Sequence, residues 1–284
     1  MTHHHLQPTW PSLPLLSAAL VLAACALPAD DGGGFRPALA VLPMHNLSGY
    51  GGALLGRRAA DQVALDFGSS GAWRVLDRAQ SDRACQQREM TPPYAVGYMQ
   101  ELAHALGADL VCSGAVQSVE VDGRAGVVRL TMYVEVVDQV SGQMVVASRP
   151  AVVVRRSAGA PEPTDALVSR ALAQAAAEAA ELAAAGPRVQ GEVTSPGSDG
   201  VVELAFVTQA GVKPGQRLLL YRPFAEGDVK VPGRLLAALM VIRADGSTVR
   251  AEVLGRSGDI HTGDLAVAVG PASASANRPG DGRR

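Results

Sequence analysis

The chain is short of aromatic residues and of net charge, and both shortages weigh against nucleic-acid binding. Aromatic residues make up 4% of its 284 positions, too few for the stacking platforms on which single-stranded nucleic acids lie. The formal net charge is -2, so nothing pulls the whole molecule toward a polyanion, and nucleic acid is not an expected partner. Arginine supplies nearly all the positive charge, because Lys213 and Lys230 are the only lysines. No apolar run reaches the ~18 residues of a membrane-crossing helix. With 48% hydrophobic residues and 18% charged, the chain is long enough for two domains with ordinary cores.

Constellations for chemistry are scarce too. There is no G-x-S-x-G elbow, and no carboxylate pair stands apart from the solvated helix faces that carry Glu101, Glu178 and Glu181. His45, His104 and His261 are scattered, with no partner at metal-ligand spacing. Gly51 to Arg58 has the glycine spacing of a phosphate loop between a strand and a helix, but Arg57 and Arg58 replace the lysine and the Ser/Thr of that motif. Flexible loop glycines before a basic first turn account for it better. The expectation is a non-enzymatic protein with no catalytic residue, no cofactor and no metal.

The N-terminal region does carry a signal. Leu13 to Ala24 has the length of a signal-peptide apolar core, and Leu22-Ala23-Ala24-Cys25 matches the bacterial lipobox, a small-residue cleavage site before a cysteine. That resemblance implies a mature chain beginning at a diacylated Cys25, and more than one acyl chain gives stable anchoring. The alternative is an ordinary cleaved signal with a chance cysteine. Met1 to Ser12 lacks the usual basic residues, and the histidines His3, His4 and His5 lie upstream of the cut. Ala26-Leu27 lacks the aspartate that retains lipoproteins at the inner membrane, which points to the periplasmic face of the outer membrane. Residues 25–37, with three consecutive glycines, read as a lipidated tether.

Val96 to Val119 organises the first domain. Met99, Leu102, Ala103 and Leu106 line one face of a helix. Gly107 ends it, and the apolar run Ala108 to Val116 suits a strand covered on both faces. Before it come a strand over Ala38–Pro43, a helix with Leu55, Ala59, Val63 and Phe67 on one face, a strand over Trp73–Asp77, and a short helix or loop over Arg78–Glu89. After it, Val128, Leu130, Met132, Val134 and Val136 alternate with polar residues as a half-buried strand. Gln143–Arg155 reads as a further strand whose middle, at Pro150, lies at an edge or bulge. Thr164 reads as an N-cap for a helix ending at Gly186-Pro187. The order β-α-β-α-β-β-β-α predicts an α/β (α+β) mixed sheet with helices packed on it over residues 38–186.

Ala40-Val41-Leu42-Pro43 with Asn46-Leu47-Ser48-Gly49, then Val75-Leu76-Asp77-Arg78, then Leu106-Gly107-Ala108-Asp109-Leu110-Val111 with Ser113-Gly114, resemble in order the motifs of a group of envelope proteins. The group comprises TolB amino-terminal-type domains, the CsgG curli secretion lipoproteins and the LpoB activators of a penicillin-binding protein. The resemblance spans residues 38 to about 185.

From Arg188 to Val269, six runs read as strands: Val189–Thr194, Val201–Phe206, Arg217–Arg222, Leu235–Arg243, Thr248–Leu254 and Leu265–Val269. Short strands with regular turns predict a small all-β barrel over residues 187–270, with Asp245-Gly246 as a hairpin turn. Gly211 to Gln216 before Leu218 to Tyr221, and Ile260 with Gly263-Asp264, are similar to the carboxy-terminal domain of FlgT flagellar ring proteins. Residues 271–284 form a polar tail, read as disordered.

The resemblances imply an outer-membrane lipoprotein that works as a scaffold or assembly component of a secretion, flagellar-type or cell-wall-synthesis machine, through contacts with other envelope proteins. Two alternatives stand beside it: a CsgG-like oligomeric pore, for which Gly126 to Val140 is long enough to span a bilayer, and an LpoB-like activator docked on a peptidoglycan synthase. Homo-oligomerisation is left open. Cys85 and Cys112 could form a disulfide in an oxidising periplasm or remain two thiols.

Overall fold

The computed structural model describes residues 35–157, 162–185, 190–197, 199–206, 212–226 and 229–271. The expected signal segment, Cys25, nearly all of the tether, the tail from Ala272 and the Gly186-Pro187 helix stop lie outside the described residues.

β1 (Ala38–Val41) is apolar and buried at all four positions, because strands flank it and helices cover both of its faces. It pairs in parallel with β3 (Arg74–Val75) and with β4 (Leu110–Asp122). β2 (His45–Asn46) pairs with β4 farther along. β5 (Val127–Asp138) runs antiparallel to β4 and carries both β6 (Met144–Ser148) and β7 (Ala151–Arg155) on its outer side. The mixed sheet has the order β3-β1-β4-β5-β6. The run Gln143–Arg155 is therefore two strands along β5, broken where Pro150 offers no N–H; its carbonyl still accepts from Met132 N at 3.0 Å. The strand expected over Trp73–Asp77 shrinks to two residues, since Asp77 caps the next helix by accepting from Ala79 N.

α1 (Gly52–Ser69) and α4 (Thr164–Ala184) cover one face of the sheet. Leu55, Val63 and Phe67 of α1 and Leu167, Val168 and Leu172 of α4 pack there with Val128, Leu130, Met132, Val134 and Val136, the inward set of β5. α2 (Arg78–Gln87) and α3 (Val96–Leu106) cover the other face, with Met99, Leu102 and Ala103 against Ala40, Leu42, Val111 and Val137. Gly107 ends α3 at φ 64°, a left-handed conformation that glycine adopts without strain. Thr164 is the first residue of α4 rather than its cap, which is Pro163; Asp165 accepts instead from the Tyr50 hydroxyl at 2.6 Å.

β8 (Gln190–Ser195), β9 (Val201–Phe206), β10 (Arg217–Glu226), β11 (Val229–Asp245), β12 (Thr248–Arg256) and β13 (Leu265–Val269) close into an antiparallel barrel in the order β10-β11-β12-β9-β8-β13. Leu204, Leu218, Leu220, Leu239, Ala251 and Ala266 fill it. The alternate residues Leu219, Tyr221, Leu235, Ala238, Val267 and Val269 point outward, yet they are buried in the same cluster as the sheet and its helices. Each fully buried apolar side chain contributes roughly 1.5–3 kcal/mol, so the barrel wall is firmly docked. β10 and β11 outrun the expected strands. β13 pairs with β10 only as far as Tyr221, whereas β10 and β11 stay paired from Arg222–Arg234 to Glu226–Val229, a two-stranded ribbon beyond the barrel wall.

Candidate functional site

One strand outruns its neighbours. β1 pairs with β4 only as far as Cys112 and β2 as far as Val116, where Leu47 N donates to the Val116 carbonyl at 2.9 Å. β4 continues to Asp122, held on its other side by Val127 to Thr131 of β5, which β7 backs in turn. From Ser118 to Asp122 the β1-side edge of β4 therefore has no strand beside it among the described residues. Val119 is half-buried, Glu120 is exposed, and Val121 is 39% exposed. Asp122 closes the hairpin by accepting from Arg124 N and Ala125 N. The opposite edge is blunted: Arg170 Nη2 caps the Arg155 carbonyl at 2.5 Å, and Pro150 and Arg149 lie along it.

Between these edges, on the α2–α3 side, the Ser113 hydroxyl donates to Glu135 Oε1 and the Tyr133 hydroxyl to Glu135 Oε2, both at 2.9 Å. Burial first, then the bond to the Glu135 carboxylate, pushes the Tyr133 phenol up to about 12.

A cleft of about 480 Å³ opens over the carboxyl end of β1, lined among others by Met44, His45, Arg57, Asp82, Cys85 and Tyr94. The glycine-rich turn beside it is braced from within. Asn46 Nδ2 donates to the Tyr50 and Gly52 carbonyls at 2.7 and 2.8 Å, and Asn46 Oδ1 accepts from Ser48 N and Oγ. Gly56 lets α1 cross the Met44 backbone: a Cβ there would lie 3.1 Å from the Met44 carbonyl carbon and closer still to its oxygen. The glycines of Gly51–Gly56 thus serve a tight turn and a close helix–strand crossing.

The barrel meets the sheet across a polar seam. The Tyr221 ring packs edge-on against Phe35, with centroids 4.8 Å apart. Its hydroxyl is buried beside the Asp109 carboxylate, close enough for each to influence the other's ionisation, but without a hydrogen bond of regular geometry. Asp109 Oδ2 accepts from Ala38 N at 2.8 Å. Burial raises the Asp109 carboxyl above its ordinary range, against the opposing pull of that bond. Farther along, burial lowers the Arg217 guanidinium, and Asp138 partly offsets this. Asp138 itself accepts from Val140 N, Ser141 N and Ser141 Oγ. Sequence reasoning missed this seam, although the unbroken run Leu218-Leu219-Leu220-Tyr221 carried the signal of a strand covered on both sides.

The residues singled out in the sequence do not converge. His45 lies in β2, His104 near the end of α3 within 3.2 Å of Gln139, and His261 in a barrel loop, where its N–H donates to Asp264. Among the described residues no group of three His, Cys, Asp or Glu could hold a metal, and no helix is long and apolar enough to cross a membrane. Cys85 and Cys112 are free and buried. Burial raises both thiols. The Gly126–Val140 stretch considered for a spanning hairpin contains β5, whose apolar face is in the core.

No family model and no curated protein matches the chain. Solved structures similar to it include a PelC dodecamer from Paraburkholderia phytofirmans, at 19% identity over 51% of this chain and 86% of that one, with a TM-score of 0.37. Lipoprotein GNA1162 from Neisseria meningitidis is 18% identical over 49% of this chain and 97% of its own, with a TM-score of 0.35. The carboxy-terminal domain of LpoB from Escherichia coli is 17% identical over 43% of this chain and 86% of its own, with a TM-score of 0.30.

Proposed function

We propose that this chain is a non-enzymatic lipoprotein, anchored through Cys25 at the periplasmic face of the outer membrane, that serves as a scaffold or assembly component of an envelope machine. The lipobox Leu22 to Cys25 and the glycine-rich tether support the anchor. The CsgG-, LpoB- and TolB-like motifs of residues 38–186 and the FlgT-like ones of residues 187–270 support two docking modules. The observation that carries the reading is the open edge of β4 from Ser118 to Asp122. Its backbone, beside half-exposed valines and with no strand along it among the described residues, is what an extended partner segment adds to. A CsgG-like pore would need its spanning hairpin elsewhere, because β4 and β5 are the middle of the sheet. An LpoB-like activator would use the same edge on a peptidoglycan synthase.

The test is palmitate labelling and fractionation, followed by photo-crosslinking in intact cells from position 119. Label on Cys25 and crosslinks to secretion, ring or synthase proteins support the reading and choose the machine. An unlabelled chain that fractionates with the cytosol overturns it.

A further inference from the structure

We infer that the face of the β10–β11 ribbon that carries Phe224 and Arg234, continuous with the Leu218 and Leu220 side of β10, makes a second contact with the lipid surface to which Cys25 anchors the chain. This rests on the lipid-anchor reading above. Phe35, whose ring packs on Tyr221, follows Cys25 by ten residues, which span at most ~36 Å when fully extended. The ribbon begins at the residue after Tyr221, and Phe224 stands three residues on, about 10 Å at the rise of a strand. Phe35, the first described residue after the anchor, therefore lies beside the start of the ribbon, against the Tyr221 face of β10.

Phe224 and Val231 are directly opposed in the ribbon. Phe224 is 53% exposed, whereas Phe67 and Phe206 are buried. Its ring lies against Gly233, where a Cβ would come within 2.9 Å of Phe224 Cδ1; the glycine keeps the ring seated on the ribbon. Arg222 and Arg234 are also directly opposed, and like charges facing each other across strands repel. Asp264 answers Arg222 at 2.7 Å. Arg234 is exposed and has no carboxylate partner among the described residues. Lys230 is already committed to Glu192 at 2.7 Å. A phospholipid surface answers both needs: a headgroup phosphate for Arg234 and the acyl boundary for Phe224, the pairing of cation and aromatic that interfacial segments use.

The test uses the chain from Cys25 onward, coupled through the Cys25 thiol to a maleimide lipid in vesicles of phosphatidylethanolamine and phosphatidylglycerol. Cys85 and Cys112 are buried and do not compete. Phe224→Trp reports the contact against Trp73, which is buried. Brominated acyl chains are expected to quench the introduced indole, and Arg234→Gln to lower the docked-to-free ratio about fivefold, the worth of one arginine at an anionic surface. An unquenched indole at position 224 overturns the inference. So does equal quenching of Leu65→Trp, an exposed position on α1. Coupling does not depend on lipidation in the cell, so this result and the palmitate result fail independently.

Discussion

Cys85 and Cys112 face opposite sides of one sheet. Cys85 of α2 packs with Ala40, Leu42 and Met99, and Cys112 of β4 with the α1–α4 cluster. The backbone of the sheet lies between the two sulfurs, and bridging them would require Cα atoms closer than ~7 Å with converging side chains. Burial also raises both thiols, which suppresses the reactive thiolate. The expectation is two thiols that resist alkylation in the native protein and react fully once it is unfolded without reductant. Intact-mass measurement of a Cys25→Ser chain checks this. A mass lower by two hydrogens in the unreduced protein would establish a bridge instead.

Two glycines should respond in opposite directions. Gly56→Ala forces a methyl against the Met44 carbonyl, and displacing β1's exit from α1 is expected to cost about 3 kcal/mol. Gly97 in α3 has nothing within 4 Å of where its Cβ would lie. Gly97→Ala should stabilise by about 0.5–1 kcal/mol through helix propensity and a less disordered unfolded chain. Urea denaturation of both variants decides.

Much of this architecture was legible in the sequence because it rests on periodicity. The inward set Val128 to Val136 and the helix face Leu55 to Phe67 lie where their spacing puts them, and all six barrel runs are strands. What was hidden depends on contacts between distant segments. No period reveals that Leu219 and Tyr221 serve the sheet while Leu218 and Leu220 fill the barrel, since all four are apolar. β2 is two residues long and exists only because β4 offers an edge beyond β1. The open edge of β4 was equally hidden, because pairing is a property of the neighbour that is missing rather than of Val119 or Val121.

Asp109 should make stability depend on pH in the direction opposite to a salt-bridged carboxylate. Burial raises its pKa in the folded state. The folded protein therefore holds the proton over a range where the unfolded chain, titrating near 4, has released it. The Asp109 contribution is most favourable on the acid side and is lost as pH rises from about 4 through the folded pKa. Asp109→Asn keeps an oxygen for Ala38 N and removes the titration. Its stability curve between pH 4 and 7 should fall less steeply than that of the parent, as read by urea midpoints; parallel curves would refute this role.

The open edge of β4 can be closed without disturbing the fold. Val121 is exposed near the end of the Ser118–Asp122 stretch, and Val121→Lys places there the kind of charge that natural sheets use against edge pairing. Since the position is on the surface, the folding free energy should move by no more than about 0.5 kcal/mol. If an extended partner segment pairs with this edge, crosslinks from position 119 should fall sharply in the variant. Val153→Lys is the matched control: Val153 is more exposed, at 51%, but sits on β7 at the blunted side of the sheet. Equal loss of crosslinks in both variants would mean that added charge, and not the edge of β4, governs association.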